Sequence, residues 1–322
     1  MNFPLFNRPG ALVFLDDDAD YLEMLALALP RKWRARLFVR PRECIRQLQQ
    51  ERPFWEADAW NQQQLVDQWR SGRPLVPQIL EYWARQTERF SLTRVFVVDY
   101  SMPDMDGLRV LAELGDWPGS RVLLTGQADD QVAIDAFNAG LIQQFIPKQT
   151  ADITGHLMEV VERLQGTPHP NHAQTWRATL RPEQAALLRE PDVARALSAL
   201  AVKHWVEHVV IGDPFGVIGL DAAGSPSWLQ LETDTGLPAL AEMAQLEGLG
   251  ADVVADVREG RKLVDLEVTQ SLRRPPQVAD AVVLDAARSV FAAWFPLEAP
   301  EGLADAGYSR WLARQPQRRI DS

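Results

Sequence analysis

Between Ala11 and Gln165 short apolar runs alternate with helical stretches, and that alternation restricts the fold more than any other feature of the chain. "ALVFL" is followed by "DYLEMLALAL", "RVFVV" by "DGLRVLAEL", "RVLL" by "DQVAIDAFNAG", and "QFI" by "DITGHLMEVVERL". Continuous apolar runs mark strands buried on both faces, and helices between them require parallel pairing with right-handed crossovers. The predicted architecture is a doubly wound α/β domain. In such sheets ligands bind beyond the carboxyl ends of the strands, which makes the residues closing each run the candidates for chemistry. They are Asp16 and Asp17, Asp99, Thr125 and Lys148.

Asp16 and Asp17 close the first run, and Asp99 closes the run expected beside it at the switch point of the sheet. Three converging carboxylates need a cation to stay ionised, and Mg²⁺ suits them because it takes one or two carboxylates and keeps sites for a phosphoryl oxygen. Thr125 offers a hydroxyl and Lys148 a point charge, both suited to the equatorial oxygens of a transferring phosphoryl group. An Asp can itself be the nucleophile and form an aspartyl phosphate.

The motifs "VFLDDDAD", "VVDYSMPDMDGL", "VLLTG", "FNAG" and "QFIPK", in this order, resemble the receiver domain of two-component response regulators. The resemblance implies a five-stranded, flavodoxin-like sheet with Asp99 as phosphoacceptor, charged by a histidine kinase or phosphotransfer protein. It places Mg²⁺ on Asp16, Asp17, Asp99 and the backbone carbonyl of Ser101. It makes Thr125 the switch hydroxyl, Lys148 the contact to the acyl phosphate and Phe145 the switch aromatic. Two departures stand out. Pro147 precedes Lys148 and Gln149 follows it, whereas the family usually has Pro after the Lys. The stretch from Asp17 to Asp99 is also longer than a receiver needs, so residues 52–91 read as a helical insertion. That insertion carries Trp55, Trp60, Trp69 and Trp83, and Leu65 with Trp69, and Ile79 with Trp83, lie four apart on a shared helix face. Such a stripe either packs on a neighbouring core or forms a docking or dimerisation surface.

With 322 residues, 46% of them apolar, two domains are expected: a receiver over 1–165, a Pro- and Gly-bearing linker over 166–176, and an α+β output domain with an antiparallel sheet over 177–322. There "RPEQAALLRE" and "PDVARALSALAVKHWVEHV" read as helices. "FGVIGLD" with "SWLQLE" and "DVVADV" with "KLVDLEV" read as hairpins, the latter placing Asp265 and Glu267 on a solvated face, and "PQVADAVVLDAARSVFAAWF" reads as a closing helix. The hairpins faintly resemble a sensory PAS-type sheet.

The net charge of −11 argues against a nucleic-acid or membrane surface, and a single cysteine, Cys44, with no long apolar run places the protein in the cytoplasm. Two other motifs compete. "LDDDAD" also resembles the opening of haloacid-dehalogenase-type phosphatases, with Asp16 as nucleophile and Asp18 as acid. "HWVEH", His204 to His208, matches the two-His-plus-Glu pattern of inverted zinc peptidases, with Glu267 or Asp285 the available third ligand. The output domain has two readings. In one it is an interaction module, a homodimer included, set by phosphorylation at Asp99, and the chain has no catalysis beyond its own phosphoryl transfer and dephosphorylation. In the other it is an enzyme using Asp213, Asp221, Asp265 and Glu267, which requires those acids to converge in one pocket.

Overall fold

The computed structural model describes residues 2–126, 130–167, 170–287, 289–316, 318, 320 and 321. Its parallel sheet runs in the order Ile320–Asp321, Ala35–Phe38, Ala11–Leu15, Thr93–Asp99, Ser120–Thr125, Gln144–Pro147. The five strands from Ala35–Phe38 to Gln144–Pro147 form the flavodoxin-like receiver sheet. Alternate side chains explain why the runs are apolar throughout. Val13, Leu15, Phe96, Val98 and Leu123 pack with Cys44, Leu48, Val110 and Leu111 on one face. Leu12, Phe14, Val95, Val97, Val122 and Leu124 pack with Leu22, Leu25, Leu157 and Val161 on the other. Each such side chain contributes about 1.5–3 kcal/mol of burial. The register aligns the carboxyl ends: Leu15 lies beside Val98, Asp99 beside Leu124 and Thr125 beside Pro147. The strand Ala35–Phe38 has Arg36 in its middle, which hides it as an apolar run; Arg36 is answered by Glu51 and Thr93.

The C-terminal unit holds an antiparallel sheet in the order Phe6–Asn7, Glu207–Gly212, Phe215–Leu220, Pro226–Thr233, Val290–Pro296, Val282–Asp285. The first expected hairpin, Phe215–Leu220 with Pro226–Thr233, is present. The second is not. Ala251–Arg258 is a helix that buries Val254 and Val257, three residues apart, and Lys262–Val264 pairs instead with Val278–Asp280. Leu266–Leu272 is also helical, and Asp265 is buried rather than solvated. The expected closing helix is strand: Val290–Pro296 pairs along its length with Pro226–Thr233, so pairing overrides the helical look of its alanines.

The compact units do not follow the linear division of the chain. Residues 1–7, 61–87 and 170–311 form one unit, and 8–60, 88–169 and 312–322 the other. The insertion is therefore divided. Leu65, Ile79 and Trp83 are buried in the core of the C-terminal unit with Trp228 and Leu240, which is the packing alternative for that stripe; Trp60 is exposed. The expected linker is largely helix, Pro170–Arg177, and its residues 168 and 169 lie outside the described residues. Trp176 donates to Gln62 at 2.7 Å inside the same unit. Among the described residues no helix is long and apolar enough to cross a membrane.

Candidate phosphoryl and cation site

The aligned strand ends bring Asp16, Asp17 and Asp99 together, with one carboxylate oxygen of each within 4.8 Å of the others. Asp16 and Asp99 are buried and Asp17 is exposed. Lys148 bridges the two buried acids, its Nζ lying 2.9 Å from Asp16 Oδ2 and 2.9 Å from Asp99 Oδ1. Burial pushes the Asp99 carboxyl above its usual range; Lys148 opposes this, and the charges of Asp16 and Asp17 add to it. Burial alone would lower Lys148, but hydrogen bonds to Asp16 and Asp99 outweigh it and hold the ammonium above its ordinary value.

Local structure fixes each group. The backbone N–H of Lys148 donates to the Thr125 carbonyl at 2.8 Å, and Pro147, just before it, ends an edge strand, where a missing N–H is tolerated. The Lys therefore reaches the acids although no Pro follows it. Past Asp99 the chain turns, with Met102 and Gly107 both donating to the Tyr100 carbonyl. Met102 and Met105 fill the core. A Cβ at Gly107 would lie 2.4 Å from the Asp99 carbonyl oxygen, so only glycine lets the next helix start so close to the phosphoacceptor strand. Ser101 is exposed in that turn, and among the described residues its carbonyl accepts no hydrogen bond. Thr125 is fully buried, and among the described residues its Oγ1 makes no hydrogen bond. Phe145 is half-buried against the core cluster containing Met102.

The competing motifs resolve differently. Asp18 caps the helix Ala19–Ala28, accepting from the Tyr21 N–H at 3.0 Å, so the acid of the phosphatase reading serves as a helix cap, while Asp16 accepts from Lys148 and from the Asp18 N–H. His204 ends the helix Pro191–His204, whereas Glu207 and His208 lie on a strand. The shared helix face that zinc needs is absent. His208 stacks on Phe3 and bonds the Pro4 carbonyl, and burial pushes its pKa down to about 4. Asp285 accepts from the N–H of Ala287. Of the four output acids, Asp221 closes a turn through the N–H groups of Ala223 and Ser225, and Asp265 pairs with Arg274 at 2.6 Å. Asp213 and Glu267 line one cavity. Tyr21, whose ring lies 5.3 Å from the Lys148 Nζ, is a site residue that motif reading missed; its place, one helical turn past Asp17, was the available signal.

A five-stranded parallel sheet with this residue set at its carboxyl edge has the receiver fold of response regulators. Across nearly the whole chain it is similar to a solved response regulator, LqsR of Legionella pneumophila, at 24% identity and a TM-score of 0.71, covering 98% of each chain. A receiver-domain protein of Clostridium thermocellum (15% identity, 48% of this chain and 98% of that one, TM-score 0.30) and one of Methanospirillum hungatei (15%, 48% and 94%, 0.30) also match, at scores that carry no argument. The likeness to the Legionella protein establishes the fold. No protein-family model and no curated protein matches the chain.

Proposed function

We propose that the protein is a response regulator that accepts a phosphoryl group on Asp99 from a partner histidine kinase. The observation that carries this reading is the pairing of a buried strand-end carboxylate with Lys148 at 2.9 Å and two further acids within 4.8 Å. Asp99 attacks the donor phosphorus through a carboxylate oxygen, the bond to the donor nitrogen breaks, and that nitrogen keeps the electron pair. Lys148 then faces the new acyl phosphate, and the Thr125 hydroxyl donates to one of its oxygens.

The donor set, hard oxygens crowded beside one ammonium, fits Mg²⁺, which Asp16, Asp17, Asp99 and the Ser101 carbonyl would hold. When bound, the ion neutralises charge on the phosphoryl oxygens. The output is a non-DNA-binding unit, a reading supported by the chain's net charge of −11; it acts by protein interaction or dimerisation in a cytoplasmic compartment.

The test is incubation with a small acyl-phosphate donor and MgCl₂. Wild type becomes labelled in a form cleaved by base and by hydroxylamine, and Asp99→Asn is not labelled while keeping its fold by circular dichroism. Equal labelling of the variant, or none of wild type with either a phosphate donor or beryllofluoride, sinks the reading.

A further inference from the structure

The C-terminal unit contains a cavity of about 890 Å³ in which none of the phosphoryl-site residues takes part. Its floor is the antiparallel sheet. Gln230 projects from the Pro226–Thr233 strand on the same face as Trp228 and Glu232, by the two-residue period of a strand. Its cross-strand neighbours are Gly216 on one side and Ala293 on the other, and the Trp228 indole packs over Gly216. Gln230 is nine-tenths buried, its side chain opens onto the cavity, and among the described residues its amide makes no hydrogen bond. Its donor and acceptor are thus left for whatever occupies the cavity. Gln184, by contrast, is already engaged by the Arg181 N–H and the Gly212 carbonyl.

The walls define the chemistry of the occupant. Glu183, Asp213, Glu232, Asp234 and Glu267 line the cavity against a single cation, Arg181, which excludes phosphates and other anions. Among the described residues no three of these acids approach one another closely enough to hold a metal ion, so their charge is spread over a space of molecular size. Burial raises the Glu232 and Glu267 carboxyls; Asp213 adds to the shift at Glu267, and Glu267 to that at Glu232. These charges repel each other in the absence of a cationic occupant. Trp69, Phe215, Leu240 and Met243 supply apolar wall.

We propose that this cavity binds a small organic ammonium compound, with the cation between Glu232, Glu267 and Asp213, a polar group on Gln230 and an apolar body against Trp69 and Phe215. The experiment is titration calorimetry on the full chain with benzylamine, cadaverine and spermidine, using benzyl alcohol as the neutral isostere of the first and MgCl₂ alone as the inorganic cation. At least one amine is expected to bind saturably at one site, benzyl alcohol and MgCl₂ failing to displace it. Glu232→Gln and Glu267→Gln should each weaken it by about tenfold or more, and Gln230→Leu, which removes the polar group from the floor, should weaken it as well. Asp99→Asn should leave the affinity unchanged, which separates this site from the phosphoryl site. The proposal is overturned if none of the three amines binds, if benzyl alcohol binds as well as benzylamine, if MgCl₂ displaces the amine, or if both Gln variants, folded by circular dichroism, bind like wild type.

Discussion

The molecule gathers carboxylates in two places and handles their charge in opposite ways. At the receiver edge three acids converge within 4.8 Å and Lys148 answers two of them at 2.9 Å. In the C-terminal cavity five acids surround about 890 Å³ with only Arg181 among them. Convergence suits a point-like cation and one phosphoryl group; dispersion suits an organic cation with a body of its own. The difference also separates acids that bind from acids that only build. Asp265 is fully buried, yet Arg274 at 2.6 Å and the Gln277 N–H at 2.7 Å answer it within the fold, although burial still holds its carboxyl above the usual range.

The largest effect should come from that internally answered acid. Arg274→Met leaves Asp265 buried with the Gln277 N–H alone, and a one-sided break of a buried pair costs about 3–5 kcal/mol, measurable by urea unfolding. A loss below about 1 kcal/mol would mean that Asp265 is neutral in the folded protein, and the contrast between building acids and binding acids would lose its clearest case.

Next in size is Lys148→Met. Without divalent ions the variant keeps Asp16 and Asp99 facing each other and should lose about 1–3 kcal/mol. MgCl₂ should restore more stability to the variant than it adds to wild type, since binding to the folded state alone stabilises it by linkage and the competing ammonium is gone. If MgCl₂ shifts neither melting temperature, the convergent acids are not a cation site.

These two regions were unequally legible in the amino-acid order. Asp16, Asp17, Asp99, Thr125 and Lys148 could be read because each closes an apolar run, and a doubly wound sheet brings run ends to one edge. The strand Ala35–Phe38 was harder, since Arg36 breaks its apolar character and is compensated only by Glu51 and Thr93, distant in the chain. In the C-terminal unit local pattern misled. Val254 and Val257 fit either a short strand or one helical turn, and Val290–Pro296 became a strand through pairing with residues some sixty positions earlier. The cavity was invisible because Gln230, Asp213 and Glu267 lie on separate elements and meet only through the tertiary fold.

The smallest effect is the one that tests the dispersed acids most directly. The Glu232 carboxyl is raised by burial and by Glu267, against the opposing Thr233 N–H and Arg181. A carboxyl raised in the folded state binds its proton more readily there than in the unfolded chain. Its contribution is therefore complete below the ordinary Glu value of 4.5 and is lost as pH rises through the folded value. Glu232→Gln cannot ionise, so the ligand-free variant should melt above wild type at neutral pH, and the difference should close as pH falls below the ordinary Glu range. The same substitution should weaken amine binding, so a residue that costs stability in the empty protein contributes affinity in the occupied one. A variant less stable than wild type at neutral pH would show that Arg181 and the Thr233 N–H already balance the charge, leaving the cavity acids as compensated as those at the receiver edge.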